Sequence, residues 1–304
     1  MKILHVISYP RSGSTVVGLT LGHYQESTYL GEVSAVFTGS WDRSCGCSLD
    51  SPVNMKDCPM WSPVLQKSKT VLEKYNLWDN SDPGVTKELR LDFLPTAYNQ
   101  LKLGQPGAEL KAANEIIDII FHQTSKITKS PIVVDSSKNL YYYRILKKKF
   151  GEDHFSLHLF RDPRGVVYSA RRRPVNTNKG IPLSLKRSLR IALGWGAKNF
   201  LIESYIKNNV GDSIQLHYED WCSDPKRISD HIIDSLVQKR VTSPFLDHSS
   251  FKVEPSHSFH GNRSRRSSGT MEIKNDQSWK KGMDKKYQSA SKISALLFMK
   301  KYNY

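Results

Sequence analysis

No stretch of this sequence comes near the roughly eighteen apolar residues that a membrane-spanning helix needs. The N-terminus lacks the form of a signal peptide, because its apolar run begins at residue 3 and leads straight into a Ser/Gly-rich loop. A soluble, cytoplasmic chain is expected. Cysteine is scarce, with 4 in 304 residues, and this excludes a disulfide framework for a chain of such length. Acidic residues are in deficit: 29 Asp and Glu stand against 45 Lys and Arg, for a net charge of +16. That imbalance points to anionic partners such as nucleic acid, an anionic membrane, nucleotides, or sulfated and acidic sugars. Part of it is plain surface charge, as in Lys147-Lys148-Lys149 and Lys285-Lys286, which read as solvated helix faces. There is no internal repeat and no G-x-x-x-x-G-K-[ST] motif. Nor is there an aromatic-rich RNA-binding motif or a helix-turn-helix pattern. With 38% hydrophobic and 24% charged residues the chain is globular, and it is long enough for a full α/β core.

What is present starts at the N-terminus. Lys2-Ile3-Leu4-His5-Val6-Ile7 is short, apolar and β-branched enough for a buried strand. Thr15-Val16-Val17-Gly18-Leu19 reads as a helix start, with Ser and Thr at the capping positions. The loop between, Ser8-Tyr9-Pro10-Arg11-Ser12-Gly13-Ser14, aims backbone N–H groups and the positive end of a helix dipole at one spot. Such a spot suits phosphate or sulfate. Arg11, at the front of the loop, stands in for the lysine that an ATP- or GTP-binding loop would carry after its glycine.

Further along, Ser27 to Val33 reads as an extended segment that returns to the mouth of this loop and carries Glu32. Residues 40 to about 130 lose the strand–helix alternation and read as a helical and loop-rich insertion that caps a substrate. The insertion holds Cys45-Gly46-Cys47 and Cys58. Their spacing does not match the usual structural zinc pattern, and no nearby histidine completes four ligands. The spacing instead favours a Cys47–Cys58 disulfide or plain packing around Trp41 and Trp61, with no nucleophilic role for these thiols. The α/β pattern resumes with strands at 131–135, 154–160 and 214–218, and helices at 140–150, 183–208 and 228–239. Residues 243–276 read as irregular, and a last helix closes the chain. Strands alternating with helices argue for an α/β three-layer sandwich around a parallel sheet, spanning 1–304 as one domain.

With its motifs in this order, the chain resembles the sulfotransferases that use 3′-phosphoadenosine 5′-phosphosulfate (PAPS). Tyr9-Pro10-Arg11-Ser12-Gly13-Ser14-Thr15 resembles that family's 5′-phosphosulfate loop. Leu159-Phe160-Arg161-Asp162-Pro163-Arg164-Gly165, continuing to Ser169, resembles its 3′-phosphate motif, with Arg161 and Ser169 as ligands. Asp135-Ser136-Ser137-Lys138 resembles the strand end that completes the donor site. Gly31-Glu32-Val33, the cysteine elements, His257-x-x-x-Gly261-Asn262-x-x-Arg265 and Asp276-x-x-Trp279 narrow the likeness to the bacterial and carbohydrate-type branch. One departure is that Arg263 and Arg266 stand where that pattern usually has Pro and an aromatic.

The resemblance implies a P-loop-like sulfotransferase fold and sulfuryl transfer from PAPS to a hydroxyl of a small molecule or glycan. Adenosine 3′,5′-bisphosphate would be the product, and no metal would be required. It places Arg11, Ser12, Gly13, Ser14, Thr15, Arg161, Ser169, Asn262 and Arg265 around the donor. Arg11 and Lys138 would stabilise charge on the bridging oxygen, with Glu32 as the base. Transfer of this kind is loose and in-line, so positioning and charge stabilisation carry it. Two other readings stay open: a P-loop nucleoside or small-molecule kinase, with Asp135 as its metal carboxylate, and a basic nucleic-acid-binding protein. The acceptor and the oligomeric state are not legible.

Overall fold

In this computed structural model the described residues are 1–38, 41, 43–48, 53–78, 93–171, 183–207 and 213–304. In chain order they form β1 (Lys2–Ser8), α1 (Ser14–Leu21), β2 (Ser27–Gly31), α2 (Trp61–Lys74), α3 (Phe93–Lys102) and α4 (Ala108–Thr128). Next come β3 (Ile132–Asp135), α5 (Leu140–Phe150), β4 (His154–Phe160), α6 (Pro163–Ala170), α7 (Leu185–Ile206) and β5 (Ser213–His217). The chain closes with α8 (Tyr218–Ser223), α9 (Pro225–Val237), β6 (Ser250–Val253), β7 (Gly269–Glu272), α10 (Trp279–Gly282) and α11 (Lys285–Lys301).

The first five strands make a sheet of order β2-β3-β1-β4-β5, and every neighbouring pair is parallel. Such a sheet must be covered on both faces, and β1 shows how. Leu4 and Val6 point to the face carried by α1 and α9, packing with Val17, Trp221 and Ile233. Ile3 joins the core of α5 and the insertion, and Ile7 packs against Tyr143, Ile202 and Ile206 of α5 and α7. Alternation along one strand therefore feeds two cores, which makes the expected three-layer α/β architecture.

Histidines pin the middle of the sheet. The His5 ring lies 2.8 Å by its Nε2 from the Ser137 carbonyl and 3.2 Å by its Nδ1 from His154 Nε2. A carbonyl only accepts, so His5 donates through Nε2 and accepts from His154 through Nδ1. Both rings are then neutral, and burial lowers the pKa of both. His158 on β4 bonds Asn199 Oδ1 of α7 at 3.0 Å and ties strand to helix.

The sequence expectations fail in one stretch of the fold. Residues 243–276, read as irregular, contain the antiparallel pair β6–β7. Each of these strands has only four residues, and the long connection between them hides the pairing from any local pattern. The helix expected to reach Asn208 is described to Ile206; Asn208 lies outside the described residues.

Burial drives the His158 pKa down to about 4, against opposing hydrogen bonding from Asn199 and the charge of Glu203. As pH falls below about 6.5 the unfolded chain takes up this proton before the folded one. The stabilisation is complete above that value and is lost down to about pH 4. We expect about 3 kcal/mol of stability to disappear over this window through His158 alone. In urea denaturation, the gap between wild type and His158→Gln should shrink by that amount. A gap independent of pH would refute the assignment.

Candidate functional site

The anion loop leaves β1 at Ser8 and enters α1 at Ser14. Two residues take left-handed backbone, Arg11 at φ 73° and Gly13 at φ 93°. At Gly13 the requirement is double, since a Cβ would also stand 2.4 Å from the Tyr218 ring. Gly13 is the N-cap and offers no side-chain acceptor, whereas Asn139 and Asp162 cap α5 and α6 with their own oxygens. Val16 and Val17 N–H donate to the Gly13 carbonyl at 3.0 and 3.1 Å, so among the described residues it is the N–H groups of Ser14 and Thr15, at the very start of α1, that are left to a ligand. Ser12 adds a fully buried hydroxyl with no hydrogen-bond partner among the described residues.

On the β4 side of the loop stand two arginines. Arg11 Nε donates to Ser169 Oγ on α6 at 3.1 Å. Arg161, leaving β4, is buried over the Tyr218 ring and donates to the Arg11 carbonyl at 3.3 Å and the Asp276 carbonyl at 3.1 Å. Arg161 thus braces the loop and joins it to the segment that carries Trp279. That indole lies beneath Arg164, 4.4 Å from ring centroid to guanidinium.

On the β2 side stands a carboxylate–ammonium pair. Glu32 follows β2, and its Oε1 accepts from Lys138 Nζ at 2.6 Å. His260 Nδ1 lies 3.6 Å from its other oxygen. Burial works to raise the Glu32 pKa, but Lys138 and His260 prevail and hold it at about 2. Lys198 of α7 donates to the Lys138 carbonyl at 2.7 Å; burial, and then Lys138, push its pKa down to about 8. Asp135 is fully buried and accepts from the Ser137 N–H at 2.7 Å, which shapes the turn that presents Lys138.

The C-terminal loop closes over this edge. Phe259 N–H donates to Leu30 O at 2.8 Å, Glu32 N–H to His260 O at 3.0 Å, and Asn262 N–H to Thr15 Oγ1 at 3.4 Å. Arg265 is buried and turned the other way, donating to the carbonyls of Ser258 at 2.8 Å and Ser44 at 2.6 Å. A cleft of about 450 Å³ opens beside Lys138 and Lys198, walled by Tyr98, Tyr141, Tyr205 and Arg144.

Apart from Arg265, which turns away toward the Ser44 and Ser258 carbonyls, the residues singled out in the sequence gather along one sheet edge, the charged ones in two groups. Arg11, Arg161 and Ser169 gather on one flank of the loop, and Glu32 and Lys138 on the other. Glu32 is bonded to Lys138, with His260 3.6 Å from its other oxygen, while the Arg11 Nε is given to Ser169. The disulfide favoured by the cysteine spacing does not form, since Cys45, Cys47 and Cys58 are free thiols.

The arrangement can be set beside known proteins. The sulfotransferase domain from the curacin biosynthetic pathway superposes with a TM-score of 0.51 at 14% identity, covering 100% of this chain and 98% of that one. The chain has the sulfotransferase fold. A sulfotransferase from Alicyclobacillus acidocaldarius matches at a TM-score of 0.41 and 12% identity, over 86% of this chain and 87% of that one. Retinol dehydratase, in a complex with androsterone and the inactive cofactor PAP, matches at 0.41 and 13% identity, over 98% and 80%. No protein-family model matches the sequence, and no curated protein does. Among the described residues, no helix is long and apolar enough to cross a membrane.

Within this sulfotransferase fold, His260 and Lys198 are the site residues that sequence reasoning missed. Lys198 sits in the fourth turn of a long helix with no motif around it, and only the packing of α7 beside β1 brings it to the edge. His260 lies inside the His257–Arg265 pattern, so its neighbourhood was legible while its partner was not. Lys198 should carry its charge to an anion below pH 8 and lose it above. We expect sulfate affinity to fall about fivefold more between pH 7 and 9 in wild type than in Lys198→Arg, which stays charged. Titration calorimetry at the two pH values checks this; parallel profiles would place Lys198 outside the anion field.

Proposed function

We propose that the chain transfers a sulfuryl group from PAPS to an acceptor hydroxyl. The reading is carried by the anion loop, with its buried, unpartnered Ser12 hydroxyl, set between Arg11, Ser169 and Arg161 on one flank and Glu32 and Lys138 on the other. Two anion-binding centres on one edge suit a donor with two anionic ends, and a carboxylate next to an ammonium suits an alcohol acceptor. Bound there, PAPS would supply the sulfuryl group and a good leaving group.

The protein's own part is positioning and proton handling. The N–H groups at the start of α1, with Ser12, Ser14 and Thr15, hold the anion at the loop. Arg161 suits the 3′-phosphate, since a guanidinium binds a dianion through two parallel bonds. Lys138 links the two sides. While it bonds Glu32, the carboxylate is a weak base at about 2. Turning its ammonium toward the loop stabilises negative charge there and frees Glu32 to accept the acceptor's proton. The tyrosine-walled cleft beside Lys138 and Lys198 suits a flat or sugar-like acceptor, with its hydroxyl directed at Glu32. Asp135 is fully buried and its Oδ1 accepts from the Ser137 N–H, which leaves at most Oδ2 for a metal and counts against its holding the magnesium of a kinase.

Two measurements test the reading. Adenosine 3′,5′-bisphosphate should raise Tm well beyond adenosine 5′-phosphate or ATP with magnesium, and Arg161→Ala should weaken its binding by about 2–3 kcal/mol. With a sulfur-labelled donor and a panel of sugars, glycans, lipids and phenols, Glu32→Gln should slow transfer roughly 10²–10⁴-fold while bisphosphate affinity holds. A stronger response to ATP with magnesium would sink the donor assignment. An unchanged kcat with a raised KM would reduce Glu32 to an acceptor contact.

A further inference from the structure

Three cysteines of the insertion and one histidine of the C-terminal loop converge at a place that the transfer chemistry does not use. Cys58 Sγ lies 3.5 Å from Cys45 Sγ, 3.8 Å from Cys47 Sγ and 3.3 Å from His257 Nδ1. All four donor atoms stand within 4.8 Å of one another. A disulfide needs about 2.05 Å, so these sulfurs are not bonded. Zinc held tetrahedrally, at about 2.3 Å from sulfur and about 2.0–2.1 Å from nitrogen, sets sulfurs about 3.8 Å apart and sulfur and nitrogen about 3.6 Å apart. The three separations that meet at Cys58 match such a tetrahedron to within a few tenths of an ångström, and the other three are no longer than 4.8 Å.

The surroundings are those of a ligand shell as well. The N–H groups of Met60 and Trp61 point at the Cys58 sulfur. Trp61 Nε1 donates to the His257 carbonyl at 2.6 Å, which fixes the residue that bears the imidazole. Gly46, between two of the cysteines, admits no side chain: a Cβ would stand 2.4 Å from Ser258 Oγ and 2.8 Å from the Ser256 carbonyl. Cys45 and Cys58 are fully buried.

We propose that Cys45, Cys47, Cys58 and His257 bind one zinc ion in a structural site that clips the C-terminal loop to the insertion. Three thiolates and one imidazole select zinc over hard cations such as magnesium and calcium. Four protein ligands leave no open position, so the ion stabilises and does not catalyse. The clip spans 199 residues of sequence between Cys58 and His257. It matters at the sheet edge because His260 and Asn262 follow His257 directly. With His257 anchored, His260 is held beside Glu32, and Asn262 over Thr15. The metal site itself does not depend on the sulfuryl-transfer reading.

The test is metal content of the full-length protein, expressed with zinc and purified without chelator. We expect about one zinc per chain by mass spectrometry of the metal. Cobalt exchanged for zinc should give intense visible d–d bands and thiolate-to-cobalt charge transfer, the signature of tetrahedral sulfur ligation. His257→Ala should lose most of the metal, whereas His257→Cys, which keeps four ligands, should retain it. Wild type without stoichiometric zinc overturns the proposal, as does His257→Ala binding zinc as fully as wild type. If His257→Ala does not fold, wild-type cobalt spectra lacking the charge-transfer band would overturn it equally.

Discussion

Arg11, Lys138, Arg161 and Lys198 are gathered at one edge of a sheet, and like charges so close repel. The structure offsets this repulsion with oxygens. Arg161 is held by the carbonyls of Arg11 and Asp276, and Arg11 by the Ser169 hydroxyl. Lys138 takes the Glu32 carboxylate, and Lys198 the Lys138 carbonyl. The Lys198 pKa is depressed by burial first and only then by the Lys138 charge, so repulsion is the smaller part of it. An anion at the loop would complete the offset, so the same strain that must be restrained in the free protein favours the ligand.

That requirement explains the parallel sheet. Only a parallel sheet brings every strand's carboxyl end to one edge. The order β2-β3-β1-β4-β5 sets the anion loop of β1 at the centre, with the β3 and β2 ends on one side and the β4 end on the other. Adjacent strands lie about 4.8 Å apart, so the flanking groups are spaced by the sheet itself. The neutral His5–His154 pair and the Asp135 turn then fix the height at which Lys138 emerges.

The C-terminal loop is the second constraint. It hydrogen-bonds the end of β2 at Leu30 and Glu32 and touches α1 at Thr15. Its far side is joined to the insertion by Arg265 and by the approach of Gly46. Arg265, which the sequence motif places among the donor-binding residues, spends both terminal nitrogens on these joints. The loop therefore couples the least regular parts of the chain to the carboxylate of the site.

The sequence by itself determined the strands of the parallel sheet, the loop and the pairing of motifs with strand ends, though not β6 and β7. Those features are local: a buried run, a glycine that must take positive φ, an apolar period of two or 3.6. Hence Arg11 and Gly13 could be named from the loop itself, and Glu32, Lys138, Arg161 and Ser169 from the resemblance of their motifs, before any contact was known. Tertiary structure alone decided which of them touch. Glu32 pairs with Lys138 across 106 residues, and Arg11 with Ser169 across 158. His257 joins the cysteines, and His260 joins Glu32, because a loop near the end of the chain folds back along β2. Local pattern carries no record of such closures. They are fixed only when burying the two faces of the sheet brings distant segments together.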